Sequence, residues 1–152
     1  MNNLNRPSEA FILASWVALL VGMSSFLIGL WHADMQLNEK GYYLTLLMFG
    51  LFSAISLQKS IRDKTENIPI TSTYMTLCWF SFISAISLLV IGLLNTTMLL
   101  NEKGFYAISF FLSLYASISV QKNIRDMANF PLQEITITTL ERDNSMDIDK
   151  NE

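Results

Sequence analysis

The amino-acid sequence predicts an all-α membrane protein whose four transmembrane helices form two parallel, same-orientation helical-hairpin repeats. Three observations carry that prediction. Charged residues make up only 15% of the chain, against roughly 25% in a soluble domain. The charges are excluded from four long windows. The second half of the chain also repeats the first in register.

The windows place the helices. No Asp, Glu, Lys, Arg or His occurs from Ala10 to Trp31, from Gly41 to Gln58, from Asn67 to Asn101, or from Gly104 to Gln121. Each contains the roughly 17–25 predominantly apolar residues that a helix needs to cross a bilayer. A soluble four-helix bundle would keep a charged face along each helix. Here the polar residues inside the windows are uncharged, chiefly Ser and Thr with Gly, Gln and a few Asn. The first window is too long for a signal-peptide core and reads as a helix that stays.

The repeat joins the helices into modules. Shifted by 63 residues, positions 16–63 lie on 79–126 without a gap, and Trp16 meets Trp79, Gly29 meets Gly92 and Met35 meets Met98. Over 37–63 against 100–126, fourteen of 27 positions are identical, including LNEKG (37–41 and 100–104) and QKSIRD/QKNIRD (58–63 and 121–126). The chain therefore divides into an N-terminal segment 1–9, a first two-helix module 10–63, a linker 64–73, a second module 74–126 and an acidic tail 127–152. The linker carries Pro69 and a Ser/Thr cluster, as connecting segments do. The tail has six acids against two bases and is expected to be largely disordered beyond Pro131.

Lys and Arg are retained on the cytoplasmic side of a membrane protein. Arg6, Lys59, Arg62, Lys64, Lys122, Arg125, Arg142 and Lys150 flank the modules, whereas only Lys40 and Lys103 lie in the two hairpin loops. Both termini are expected in the cytoplasm, with LNEKG facing outward and QKxIRD inward. The two phrases then mark the ends of one short helix that occurs twice. Asn38 and Asn101 are expected as N-caps. Lys59–Asp63 and Lys122–Asp126 are spaced as helical ion pairs, and Tyr42, Tyr43 and Tyr106 are placed for the membrane interface.

Candidate site residues follow from these ends. Asn38, Glu39, Lys40, Asn101, Glu102 and Lys103 form a candidate outer polar cluster able to meet a partner protein or a small ion. Lys59, Arg62, Asp63, Lys122, Arg125 and Asp126 form a candidate inner set for anchoring, or for lipid or partner contacts. Small residues at i, i+4 let membrane helices approach closely. The pairs Ala18/Gly22, Ser81/Ala85, Gly50/Ala54 and Ser113/Ser117 predict a packing seam within each hairpin. His32 and Asp34 share the first loop, but their repeat mates are Asn95 and Thr97, and two residues are too few for a metal. Cys78 is single and reads as a small apolar residue near a helix start.

No catalytic triad, phosphate loop, CxxC or HExxH is present, so no catalytic, cofactor-binding or metal residue is assigned and an enzyme is not expected. No ionisable side chain lies mid-span, which argues against ion-coupled transport. The expected role is helix packing or partner binding in the membrane. The alternative is a small channel or uncoupled transporter for a neutral solute, lined by Ser109, Ser113, Ser117 and Thr45. Expected partners are the lipid bilayer and either a second copy or another membrane protein, with no nucleic acid.

LNEKGYY (37–43) and QKSIRD (58–63), with their second copies LNEKGFY (100–106) and QKNIRD (121–126), resemble the YiaA/YiaB family of bacterial inner-membrane proteins. The resemblance covers about residues 10–126. It implies a multi-pass protein of the Gram-negative inner membrane built from a two-helix module used twice, and it brings no catalytic residues to the chain.

Overall fold

Four helices account for the regular structure: α1 (Glu9–His32), α2 (Leu37–Thr65), α3 (Ser72–Asn95) and α4 (Leu100–Asp149). The structure is a computed structural model describing the backbone of residues 7–149 and the side chains of residues 7–128. All four helices are long and apolar enough to cross a membrane, and α1, at 24 residues, reaches about 36 Å at 1.5 Å per residue.

The ends of the helices have local causes. Ser8 caps α1, its Oγ accepting from the Phe11 amide at 3.3 Å. The first helix of each module ends alike, with the Ala33 amide on the Gly29 carbonyl and the Thr96 amide on the Gly92 carbonyl. At the end of α2, Asn67 takes a left-handed conformation (φ 57°). The Asn67 and Ile68 amides then fold back onto the Lys64 and Asp63 carbonyls at 3.3 and 2.9 Å, a Schellman closure with Pro69 just beyond it. The connection that reads as 64–73 is thereby reduced to residues 66–71. The backbone of α4 is helical through Pro131 to Asp149, where the sequence suggests irregular chain. A proline removes one main-chain bond and does not always end a helix. Residues 1–6 and 150–152 lie outside the described part.

The helices pack in the order α1–α4–α2–α3. Exchanging α1 with α3 and α2 with α4 leaves that order unchanged, so the repeat in the sequence becomes a pseudo-twofold arrangement with α2 and α4 at its centre. Each outer helix lies mainly against the inner helix of the other module. This corrects the expectation of a seam within each hairpin: α1 touches α2 only lightly. The small residues do their work between modules. A methyl group on Gly22 would stand 2.8 Å from Ser113 Oγ and 3.0 Å from the Ser113 amide nitrogen.

The core is Phe26, Leu30, Tyr43, Leu46, Leu47, Ala54, Leu89, Leu93, Tyr106, Phe110 and Leu114. Outward residues such as Leu13, Leu20, Phe80 and Ile83 are more than half exposed, as side chains that face lipid must be. Trp16 and its repeat mate Trp79 are exposed to nearly the same degree, 43% and 46%, so the two modules present matching surfaces as well as matching sequence.

Candidate functional site

The loop end gathers the equivalent parts of both modules. Tyr43 and Tyr106 are repeat mates, and their rings stack with centroids 6.0 Å apart. Both are buried, at 3% and 4% exposure, which corrects their expected place at the membrane interface. Adjacency of α2 and α4 draws them into the core, and Phe26 meets Tyr106 edge-on at 5.5 Å. Glycines make the room. A methyl on Gly29 would stand 2.8 Å from the Phe105 ring, and one on its mate Gly92 would stand 2.8 Å from the Tyr42 ring. Tyr42 is part-exposed and donates to the Leu88 carbonyl of α3 at 2.6 Å.

LNEKG resolves residue by residue. Asn38 and Asn101 sit inside the first turn and are not the caps. The capping carboxylates come from the third helical position, Glu39 accepting from the Gln36 amide at 3.0 Å and Glu102 from the Leu99 amide at 2.9 Å. This is the back-reaching half of a capping box. Lys40 donates to the Trp31 carbonyl at 3.0 Å, closing the last turn of α1. The Lys103 side chain makes no hydrogen bond or ion pair among the described residues. Gly41 and Gly104 face open space, since a methyl on either would meet nothing within 4 Å.

Above the tyrosine pair lies an open cleft of about 760 Å³, reached by both hairpin loops. Glu39 and Glu102 both line it, as do Met35 and Met98, and Asp34 and His32 come from the first loop. His32 Nδ1 lies 2.9 Å from the Ile28 carbonyl, at the end of its own helix. Among the described residues no three His, Cys, Asp or Glu side chains gather as a metal would require. A smaller cavity of about 230 Å³ adjoins it through Glu39 and Thr96. Its lining of Asn38, Glu39, Tyr42, Tyr43, Gly92, Asn95 and Thr96 maps by the repeat onto Asn101, Glu102, Phe105, Tyr106, Gly29, His32 and Ala33, all in the larger one. The two are one site present twice, unequal in size.

The linker end carries a second pair of equivalent contacts. Asn123 Nδ2 donates to Ser15 Oγ at 3.1 Å, joining α4 to α1. Ser60 Oγ lies 3.3 Å from Cys78 Sγ, joining α2 to α3. Ser15 and Cys78 are repeat mates, as are Ser60 and Asn123. Ser60 spends its proton on the Ser56 carbonyl at 2.8 Å, so the Cys78 thiol is the donor. Cys78 is buried, but its role is polar. The ion pairs also differ from expectation. Asp63 takes Arg62 at 3.3 Å, while Glu66 takes Arg62 at 3.8 Å and also pairs with Arg125. Glu66 thus bridges the two repeated arginines from the linker. Lys59, Lys122 and Asp126 enter no ion pair among the described residues.

The expected channel lining does not converge. Ser109, Ser113 and Ser117 are buried, whereas Thr45 is exposed. Ser113 donates to the Ser109 carbonyl and Ser117 to the Leu114 carbonyl, the back-bonding that serines adopt in apolar helices. Of the packing residues, Gly22, Gly50, Ala54, Ala85, Ser113 and Ser117 are buried, and Ala18 and Ser81 half-buried.

Sequence reasoning missed the stacked tyrosines, the methionines and the Ser15–Asn123 and Ser60–Cys78 links. The signal available was that each member has a polar, aromatic or sulfur-bearing mate 63 residues away.

Four apolar helices, charges confined to their ends and a core shared by two equivalent hairpins define a polytopic helical membrane protein. The family described as the yiaA/B two helix domain matches residues 11–63 and again 74–126; the chain belongs to that family. It is 53% identical to the inner membrane protein YiaA of Escherichia coli K12 over 137 residues, 90% of this chain and 94% of that protein. It is 30% identical to the inner membrane protein YiaB of the same organism over 99 residues, 65% of this chain and 84% of that protein. A membrane protein of Bacillus subtilis 168, YubF, is 38% identical over 63 residues, 41% of this chain and 72% of that protein. No solved structure matches the chain.

Proposed function

We propose that this protein is a non-enzymatic component of the bacterial inner membrane that works by recognition at its loop end. In this reading both modules cross the bilayer in the same sense, the termini are cytoplasmic and the loop end faces the periplasm. The Lys and Arg distribution supports that orientation, and the inner-membrane relatives support the location.

One observation carries the functional reading. Apart from the stacked Tyr43 and Tyr106, several buried repeat mates have drifted: Leu47 against Phe110, Ser53 against Ala116, Ala54 against Ser117, Ser60 against Asn123. The mates in the first turns of α2 and α4 have not, although the loop residues just before them differ. Leu37 and Leu100 are each 85% exposed and identical, Asn38 matches Asn101, and Gly41 matches Gly104 with nothing packed against either. Interior packing tolerates compensated change and gives no reason for the surface to stay the same. The constraint at the loop end therefore comes from outside the fold, from a second copy or another membrane protein.

A photoreactive residue placed at Asn38 or Asn101 tests this in cells, with one at lipid-facing Leu20 as the reference. The loop-end probes are expected to give discrete protein adducts of defined mass. Adducts confined to lipid, or a pattern equal to that from Leu20, would overturn the reading.

A further inference from the structure

The unequal pair of loop-end cavities has a definite chemistry. Asp34, Glu39 and Glu102 line the larger one, and no Lys or Arg does. The nearby Lys40 is turned away to the Trp31 carbonyl. Each glutamate uses one oxygen, Oε2, on its backbone cap and keeps the other for a donor. The site is therefore electronegative and rich in acceptors, and it selects a cation.

The carboxylates are spread around the cleft, since no three metal-ligating groups converge among the described residues. A single inorganic ion could satisfy only part of them. Met35, Met98, Phe105 and Tyr106 line the same cleft and offer apolar surface suited to a methylene chain. The cleft volume, about 760 Å³, falls within the roughly 300–1,000 Å³ of small-molecule sites. A second observation marks the adjoining cavity. Tyr43 lines it, is only 3% exposed, and its hydroxyl has no hydrogen-bond partner. That hydroxyl stands against Gly92 on the same cavity wall. A buried acceptor left unmade costs stability, and a donor arriving from outside would satisfy it. Glu39 belongs to both cavities and would share that donor.

Resting on the loop end as the working surface, we propose that the cleft binds a linear organic dication of the diamine or polyamine class. One ammonium group donates to Glu39 and the Tyr43 hydroxyl, the other to Glu102 and Asp34, and the methylene chain crosses the methionine and aromatic floor. The pseudo-twofold relation of Glu39 and Glu102 matches the two like ends of such a ligand.

The test is calorimetric titration of the full-length protein in nanodiscs of phosphatidylcholine, a lipid without net charge, using cadaverine, pentylamine and magnesium chloride. Cadaverine is expected to bind about tenfold or more tighter than pentylamine, the value of one further charge-assisted hydrogen bond. Glu39→Gln and Glu102→Gln are each expected to weaken cadaverine about tenfold at unchanged thermal stability, because glutamine still accepts the capping hydrogen bond. Tyr43→Phe should weaken it severalfold. Cadaverine without measurable binding at millimolar concentration overturns the proposal. So does cadaverine binding no tighter than pentylamine or magnesium, or binding untouched by both glutamine variants, since either would be charge screening alone. Loop-end protein adducts that persist beside a negative titration would leave the recognition reading standing and remove only this ligand. Tight cadaverine binding without adducts would do the reverse.

Discussion

Gly22→Ala and Gly41→Ala place the same methyl group at two helical glycines and are expected to move stability in opposite directions. At Gly22 the new carbon would lie 2.8 Å from Ser113 Oγ, 3.0 Å from the Ser113 amide nitrogen and 3.3 Å from Leu112 Cγ. Ordinary contact begins near 3.4 Å, so α1 must back away from α4 by about half an ångström. The hydroxyl cannot simply rotate aside, because it holds the Ser109 carbonyl at 2.7 Å, and the amide nitrogen cannot move without the helix. Overpacking of this kind costs about 1–3 kcal/mol. At Gly41 the same methyl meets nothing within 4 Å, and alanine gains about 0.5–1 kcal/mol of helix preference over glycine. The assay is reversible unfolding in mixed micelles of mild detergent and dodecyl sulfate, followed by circular dichroism. Ser113→Gly in the Gly22→Ala background should restore part of the loss by removing the nearer contact, while the amide contact remains. A Gly22→Ala protein as stable as the parent would refute the inter-module seam, as would a Gly41→Ala protein that loses as much.

Two further outcomes follow from the packing order and the charge pattern. A protease site inserted after Asn67, cut in mild detergent, is expected to leave the two halves comigrating on gel filtration, because α1 lies on α4 and α3 on α2; halves that separate would show that the linker holds the modules together. With membrane-impermeant maleimide on spheroplasts, Asn38→Cys is expected to react and Lys64→Cys to be protected, and native Cys78, at 5% exposure, should stay silent in both. Labelling of Lys64→Cys alone would reverse the orientation.

The spans were legible because lipid imposes a rule that composition cannot evade: uncharged windows at helix length. The duplication was legible because NEKG, QK and IRD recur in register among residues that otherwise vary. Neighbour choice was not legible. Small residues at Gly22 and Ser113 say that a face is thin, and a thin face fits α2 or α4 equally until the whole bundle closes. The tyrosines failed for the same reason. Position near a helix end suits an interfacial ring, and only the meeting of α2 and α4 turns Tyr43 and Tyr106 inward. At the caps, Asn38 has the better intrinsic propensity, but Glu39 three residues inside reaches back to the chain entering the helix. Composition also hid the link between Ser60 and Cys78, since a lone cysteine in an apolar helix resembles a small hydrophobe.

The interlocked arrangement bears on how the site came to be lopsided. Lipid supplies no hydrophobic drive between helices, so their partners are set by close approach and by polar links. The close approaches at Gly22, Gly29 and Gly92 all join one module to the other. So do the links from Asn123 to Ser15, from Ser60 to Cys78 and from Tyr42 to the Leu88 carbonyl. Holding the modules on one chain keeps the effective concentration of each for the other high, and neither is then bound to remain a copy. At the loop end that freedom has been used. Tyr42 is tied to the α3 backbone through its hydroxyl, a bond that its mate Phe105, packed over Gly29 at the same 2.8 Å, cannot make. Asp34 and His32 stand where the other module has Thr97 and Asn95. Two equal pockets have become one narrow and one wide, and the wide one collects the added carboxylate and imidazole. A symmetric dimer of single modules could not have made that distinction, because every change would appear on both sides.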